Sequence, residues 1–84
     1  MKSELKKQLI RALNEADGLP FPESSLAQAA KQLVRPAEPT TADVADALRA
    51  CEREGYVLGV TDDFSQERTW TLTEKGKHKA IQLQ

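Results

Sequence analysis

Apolar positions along this 84-residue chain follow a helical period as far as Gly55, then alternate from there to Thr73. Leu5, Leu9 and Leu13 recur every four residues, and Ile10, Ala12 and Ala16 widen the stripe, which predicts an amphipathic helix over residues 3–16. Ser3 is placed to cap its first turn, and Asp17-Gly18 supplies a stop with glycine at the left-handed position. Leu26, Ala29, Ala30 and Leu33 fit the i, i+3, i+4, i+7 template and predict a second helix over residues 24–34. Pro36 and Pro39 end it, because proline cannot continue a helix and disfavours the helical state just before itself. Between these helices, Leu19-Pro20-Phe21-Pro22 carries prolines at alternate positions. They rule out a regular central strand and favour an extended edge segment, anchored by Phe21.

The third helix has the clearest signals. Thr40 or Thr41 is its N-cap, and Asp43 stands where the acidic half of a capping box starting at Thr40 belongs. Val44, Ala47, Leu48 and Cys51 fill the apolar template, Gly55 terminates the helix, and the opposite face carries Ala42, Asp46, Arg49 and Arg53. Asp46 and Arg49, and Arg49 and Glu52, stand at ion-pair spacing on that helix. Beyond Gly55, residues 56–61 read as a strand with Tyr56, Leu58 and Val60 on one face. Residues 62–66 form a turn longer than a two-residue hairpin loop. Residues 67–73 return, with Trp70 and Leu72 inward and Thr69, Thr71 and Thr73 outward, the alternation of a half-buried sheet. Thr73 can cap a last short helix over residues 74–83, which Gly76 weakens and only Ala80, Ile81 and Leu83 anchor.

The fold class that follows is α+β: a single domain over residues 1–84, with three bundled helices, a two-stranded hairpin and a short C-terminal helix. Hydrophobic content is 39%, and the large aromatics are only Phe21, Tyr56, Phe64 and Trp70, so the core is built mostly of Leu, Val, Ile and Ala. No run approaches the length of a membrane span and the N-terminus has no apolar signal core, so a cytoplasmic protein away from membranes is expected. The single cysteine excludes an internal disulfide, and Cys51 with His78 cannot supply the ligands of a structural zinc site. Cys51 reads instead as a small buried hydrophobe. No metal or other cofactor is expected. Ser24, Ser25 and Cys51 have no candidate base in a recognisable arrangement, and no Gly-rich phosphate loop is present. The expectation is therefore a protein that is not an enzyme and has no catalytic residues.

The order helix, helix, helix, hairpin, helix resembles the winged-helix branch of the helix-turn-helix folds. Its most specific residues are Gly55-Tyr56-Val57, leaving the third helix, and Trp70-Thr71-Leu72-Thr73-Glu74-Lys75-Gly76, closing the hairpin. The second run is similar to the wing closure of bacterial regulators of the MarR and PadR types. Such motifs serve packing and so report fold more than ligand. The resemblance implies DNA binding and transcription regulation, with the third helix in the major groove and the wing tip on the backbone or minor groove. Carried over by position, the groove-facing set is Thr41, Ala42, Asp46, Arg49 and Arg53. The wing set is Asp62, Asp63, Phe64, Ser65, Gln66 and Arg68. Two features depart from the pattern. The connection between the second and third helices is long and proline-containing, and the third helix and wing are acidic where the family shows Lys and Arg.

That acidity divides the functional expectation. Residues 1–35 carry a net +2, residues 36–67 a net −6 and residues 68–84 a net +3. DNA affinity comes largely from phosphates neutralised by Lys and Arg, so a single copy with this surface is expected to bind duplex only weakly. The first reading is a module that contacts double-stranded DNA through Thr41, Ala42, Arg49, Arg53, Gln66 and Arg68. The second is a protein-interaction module that uses Asp46, Asp62, Asp63 and Phe64. Phe64 either folds back onto the hairpin or stands out as an anchor for a protein partner. The cluster Lys75, Lys77, His78 and Lys79 serves solubility or meets an acidic group. The leucine stripe of the first helix can serve the core, the seam of a homo-oligomer, or both.

Overall fold

A computed structural model describes residues 2–16, 19–33, 39–64 and 66–83. The expected Ser3 cap, the Asp17-Gly18 stop, the side chain of Leu33, the break at Pro36 and Ser65 lie outside what it describes. The element order is α1 (Lys2–Glu15), β1 (Phe21–Pro22), α2 (Glu23–Leu33), α3 (Thr41–Arg53), β2 (Val57–Thr61), β3 (Arg68–Leu72) and α4 (Glu74–Gln82).

The capping box of α3 is complete. Thr40 Oγ1 accepts from the Asp43 N–H at 3.1 Å, and the Asp43 carboxylate accepts from the Thr40 N–H at 2.9 Å. The box satisfies two of the amides that a helix start leaves without partners. Val44, Ala47, Leu48 and Cys51 are all buried, as their spacing predicts. At the other end Gly55 adopts φ 86°, and Lys75 Nζ donates to the Glu54 carbonyl at 2.7 Å. The C-terminus of α3 thus receives both a left-handed residue and a cation.

The strands form an antiparallel sheet in the order β1-β3-β2, with Phe21 opposite Trp70, Gly59 opposite Trp70 and Val57 opposite Leu72. The proline-bounded segment is an edge strand, as its composition predicts, and it runs directly into α2. The core gathers Leu5, Leu9, Ile10 and Leu13 of α1 against α2, α3 and the inner face of the sheet.

Leu58 and Val60 share a face of β2, as their alternation predicts, and it is the solvent face, where they are 54% and 56% exposed. The register sets Val57, Gly59 and Thr61 on the inner side, and the Trp70 ring fills the space over Gly59. A Cβ on Gly59 would lie 2.7 Å from that ring. Two packing expectations, in α2 and α4, are corrected. In α2, Ala27 is buried where the template selected Ala29. In α4, Ile81 is 67% exposed, while Ala80 and the part-buried Leu83 carry the anchoring.

Gly76 reads in the sequence as a weak point, and the structure gives it a packing role. A Cβ there would sit 2.1 Å from the Tyr56 carbonyl oxygen and 2.7 Å from Leu72 Cδ1. The Thr73 hydroxyl, which accepts from the Gly76 N–H at 3.0 Å, lies 2.6 Å from the Gly55 carbonyl and 3.0 Å from that of Tyr56. Helix propensity alone makes Gly76→Ala stabilising by about 1 kcal/mol. The backbone contact reverses the sign: Gly76→Ala is expected to lower stability by about 1–3 kcal/mol in chemical denaturation. A stabilised variant would show that α4 is not docked this closely.

Candidate nucleic-acid interface

The outward ridge of α3 follows from the helical period that buries the opposite stripe. Thr41, Ala42, Asp46, Arg49 and Arg53 are all exposed on it. The expected Arg49–Glu52 ion pair does not form. Glu52 turns to the sheet instead, and its Oε2 accepts from the Gly59 N–H at 3.1 Å, on the edge of β2 that no described strand covers. Masking an edge amide in this way is a common device against strand addition. Asp46 does not pair with Arg49 either. Among the described residues the ion pairs are Lys6–Glu54 and Lys77–Glu74, and neither Arg49 nor Arg53 has a hydrogen-bond or charge partner.

Between this ridge and the wing lies an open cleft of about 400 Å³. Thr41 and Arg49 line it from α3, Glu23 and Ser24 from the start of α2, and Thr61, Gln66, Glu67 and Arg68 from the wing. Four of the six residues expected to meet nucleic acid (Thr41, Arg49, Gln66 and Arg68) therefore share one concavity. Ala42 stands on the exposed ridge. Arg53 lies further along α3, lining a second hollow with Lys6, Asp46 and Arg49.

The wall of the cleft is braced by acids that the sequence does not single out. Trp70 Nε1 donates to Glu23 Oε1 at 3.1 Å, which gives the buried indole its partner. Glu67 accepts from the Ser24 N–H at 3.3 Å and from the Ser24 hydroxyl. This carboxylate sits at the N-terminus of α2, where the helix dipole favours negative charge. Arg68 lies with its guanidinium 5.5 Å over the Trp70 ring. The formal charges of the cleft cancel, but both acids already accept hydrogen bonds, Glu23 from Trp70 and Glu67 from Ser24. The one signal for Glu23 in the sequence is its place directly after Pro22, at a first helical turn where acids are favoured.

At the wing tip the chain turns through Gln66 at φ 60°, with the Gln66 N–H donating to the Asp62 carbonyl at 2.9 Å. Phe64 does not fold back: it is 99% exposed, beside Asp62 and Asp63. The basic cluster of α4 divides. Lys75 and Lys79 lie 5.0 and 5.9 Å from the Tyr56 ring, while His78 is exposed. Next to Tyr56, residues of α1, α3 and α4 line a smaller, half-open pocket of about 200 Å³ that mixes apolar and charged side chains. Cys51 lines it and is buried, as its spacing predicts, and loss of water pushes its thiol up to about 11. The hydrogen bond to Glu54 raises the Lys6 ammonium above its ordinary value. Among the described residues no group of three or more His, Cys, Asp or Glu side chains is gathered to hold a metal ion. Among the described residues no helix is long and apolar enough to cross a membrane.

No protein-family model and no curated protein matches the chain. Among solved structures, the crystal structure of SSV1 F-93 is similar, with a TM-score of 0.68 at 24% identity over 93% of this chain and 80% of that one. Identity at this level speaks for the fold alone. Together with the element order it makes the chain a small α+β domain of winged-helix architecture, in which β2 and β3 form the wing.

The buried thiol carries a pH dependence. With an ordinary value of 9.0 and a folded value of about 11, Cys51 keeps its proton in the folded state where the unfolded chain has released it. Stability is therefore expected to fall as pH rises from about 9 to 11. Lys6, with a raised folded value, adds a loss in the same direction at higher pH. Denaturant midpoints across this range measure the slope, and Cys51→Ala should flatten its early part. An unchanged slope in that variant contradicts burial of the thiol as the cause.

Proposed function

We propose that this winged-helix domain is a non-enzymatic, cytoplasmic module of transcription regulation that contacts double-stranded DNA through the ridge of α3 and the α3–wing cleft. One observation carries the reading. Arg49 and Arg53 stand a helical turn apart without a hydrogen-bond or ion-pair partner among the described residues, and Arg49 shares the cleft with Arg68. Arginine forks match guanine edges and phosphate oxygens, so an unpaired pair on an exposed helix has the right chemistry for a groove. The likeness of the Trp70–Gly76 run to MarR- and PadR-type wings supports a regulator. SSV1 F-93 supports the fold only.

Charge limits the strength of this contact. Asp46 shares the ridge with the arginines, and Asp62 and Asp63 occupy the wing tip. The resulting field opposes the long-range attraction that gives most DNA-binding domains their non-specific affinity. A single copy on mixed-sequence duplex is weak, and recognition rests on a few close arginine contacts. The exposure of Phe64 favours a second reading beside this one, in which the wing tip meets a protein.

A titration of labelled mixed-sequence duplex at low and moderate salt tests the first reading. Binding is expected at low salt, weakening steeply as salt rises. Arg49→Ala and Arg53→Ala are each expected to cost about 1–3 kcal/mol where the arginine meets a base, and to lower the salt slope by about one where it meets phosphate. Absence of binding at low salt, or affinity unchanged in both variants, contradicts this assignment of the surface.

A further inference from the structure

Two surface features stand at opposite ends of the wing and are complementary. At the tip, Phe64 is 99% exposed and flanked by Asp62 and Asp63. At the base, a pocket is lined by Ile10, Cys51, Tyr56 and Leu83 together with Lys7 and Lys79, and Lys6 is held there by Glu54 at 2.6 Å. We infer that the chain self-associates by inserting Phe64 of one copy into this pocket of a second copy.

Size, charge and distance support it. An apolar cavity of about 150 Å³ holds a benzene molecule, and this pocket offers about 200 Å³. Placing a phenyl ring there removes from water the most exposed large apolar side chain among the described residues. The tip brings two carboxylates and the pocket three lysines against one glutamate, so the rims attract and set the orientation of docking. The same copy cannot fill its own pocket. Tyr56 lines the pocket, and β2 carries the chain away from it through Val57–Thr61. At about 3.3 Å per residue the tip lies roughly 17 Å distant. Reciprocal insertion closes a dimer, and one-way insertion builds an open chain of copies.

The inference rests on the protein-partner reading of Phe64 and is independent of DNA binding. Sedimentation velocity over a concentration series tests it on the wild-type protein, on Phe64→Ala and on the double variant Lys7→Glu, Lys79→Glu, each accompanied by a thermal melt. Wild type is expected to associate, and each variant to associate at least about tenfold more weakly. Mixing the two variants pairs an intact pocket with an intact tip and should restore association between unlike copies. A wild type that stays monomeric throughout, a Phe64→Ala protein that associates like wild type, or a mixture that stays monomeric overturns self-association by this route. If Phe64→Ala instead melts at a much lower temperature, Phe64 is a packing residue and the exposed-anchor reading falls with it. A monomeric wild type with an unchanged Phe64→Ala melt removes only the second copy as partner.

Discussion

The burial of Trp70 is the constraint on which the remaining geometry depends. Its side chain is fully buried, in a domain with few large aromatics. Its ring occupies the space over Gly59 on one side, Phe21 of β1 pairs with it on the other, and Glu23 of α2 takes its indole proton. Arg68 lies over the ring with its guanidinium 5.5 Å from the ring centre. Truncating a buried aromatic costs about 3–5 kcal/mol, a large share of the roughly 5–15 kcal/mol that holds a small domain together. One side chain thereby fixes the angle between the wing and α2. That angle defines the cleft that Arg49 and Arg68 both line.

Local signals in the sequence were enough for the elements, and long-range ones were needed for the site. The α3 helix is legible because capping box, apolar stripe and terminal glycine agree over a short stretch. The hairpin is legible from its alternation, but alternation carries no sign. Which face of β2 turns inward is decided by Trp70, which leaves room only for Gly59, so Leu58 and Val60 go outward. The same limit hides Gly76, whose tight fit exists only once α4 meets the Tyr56 carbonyl. It also hides the cleft wall, since Glu23 meets Trp70 across 47 residues and Glu67 meets Ser24 across 43. Helical spacing offered Glu52 to Arg49, yet the uncovered Gly59 amide won it.

This redistribution changes the meaning of the acidic middle of the chain. Asp43 closes a capping box, Glu52 masks a strand edge, Glu54 pairs with Lys6 and Glu67 braces α2. These carboxylates still carry charge and still weaken the field that duplex DNA would feel. Their orientation, however, leaves the arginines of α3 without hydrogen-bond or ion-pair partners among the described residues. The surface combines weak long-range attraction with specific short-range donors, a balance suited to selective contact more than to general affinity for nucleic acid.

The central claim is that recognition belongs to the α3–wing cleft and not to the lysines near α1 and α4. Amide and arginine side-chain chemical shifts, followed while a short duplex is added, test it most directly. The account predicts that Thr41, Ala42, Arg49, Arg53 and Arg68 move together and early. Shifts concentrated at Lys6, Lys7 and residues 75–79, with the α3 ridge unmoved, would contradict it.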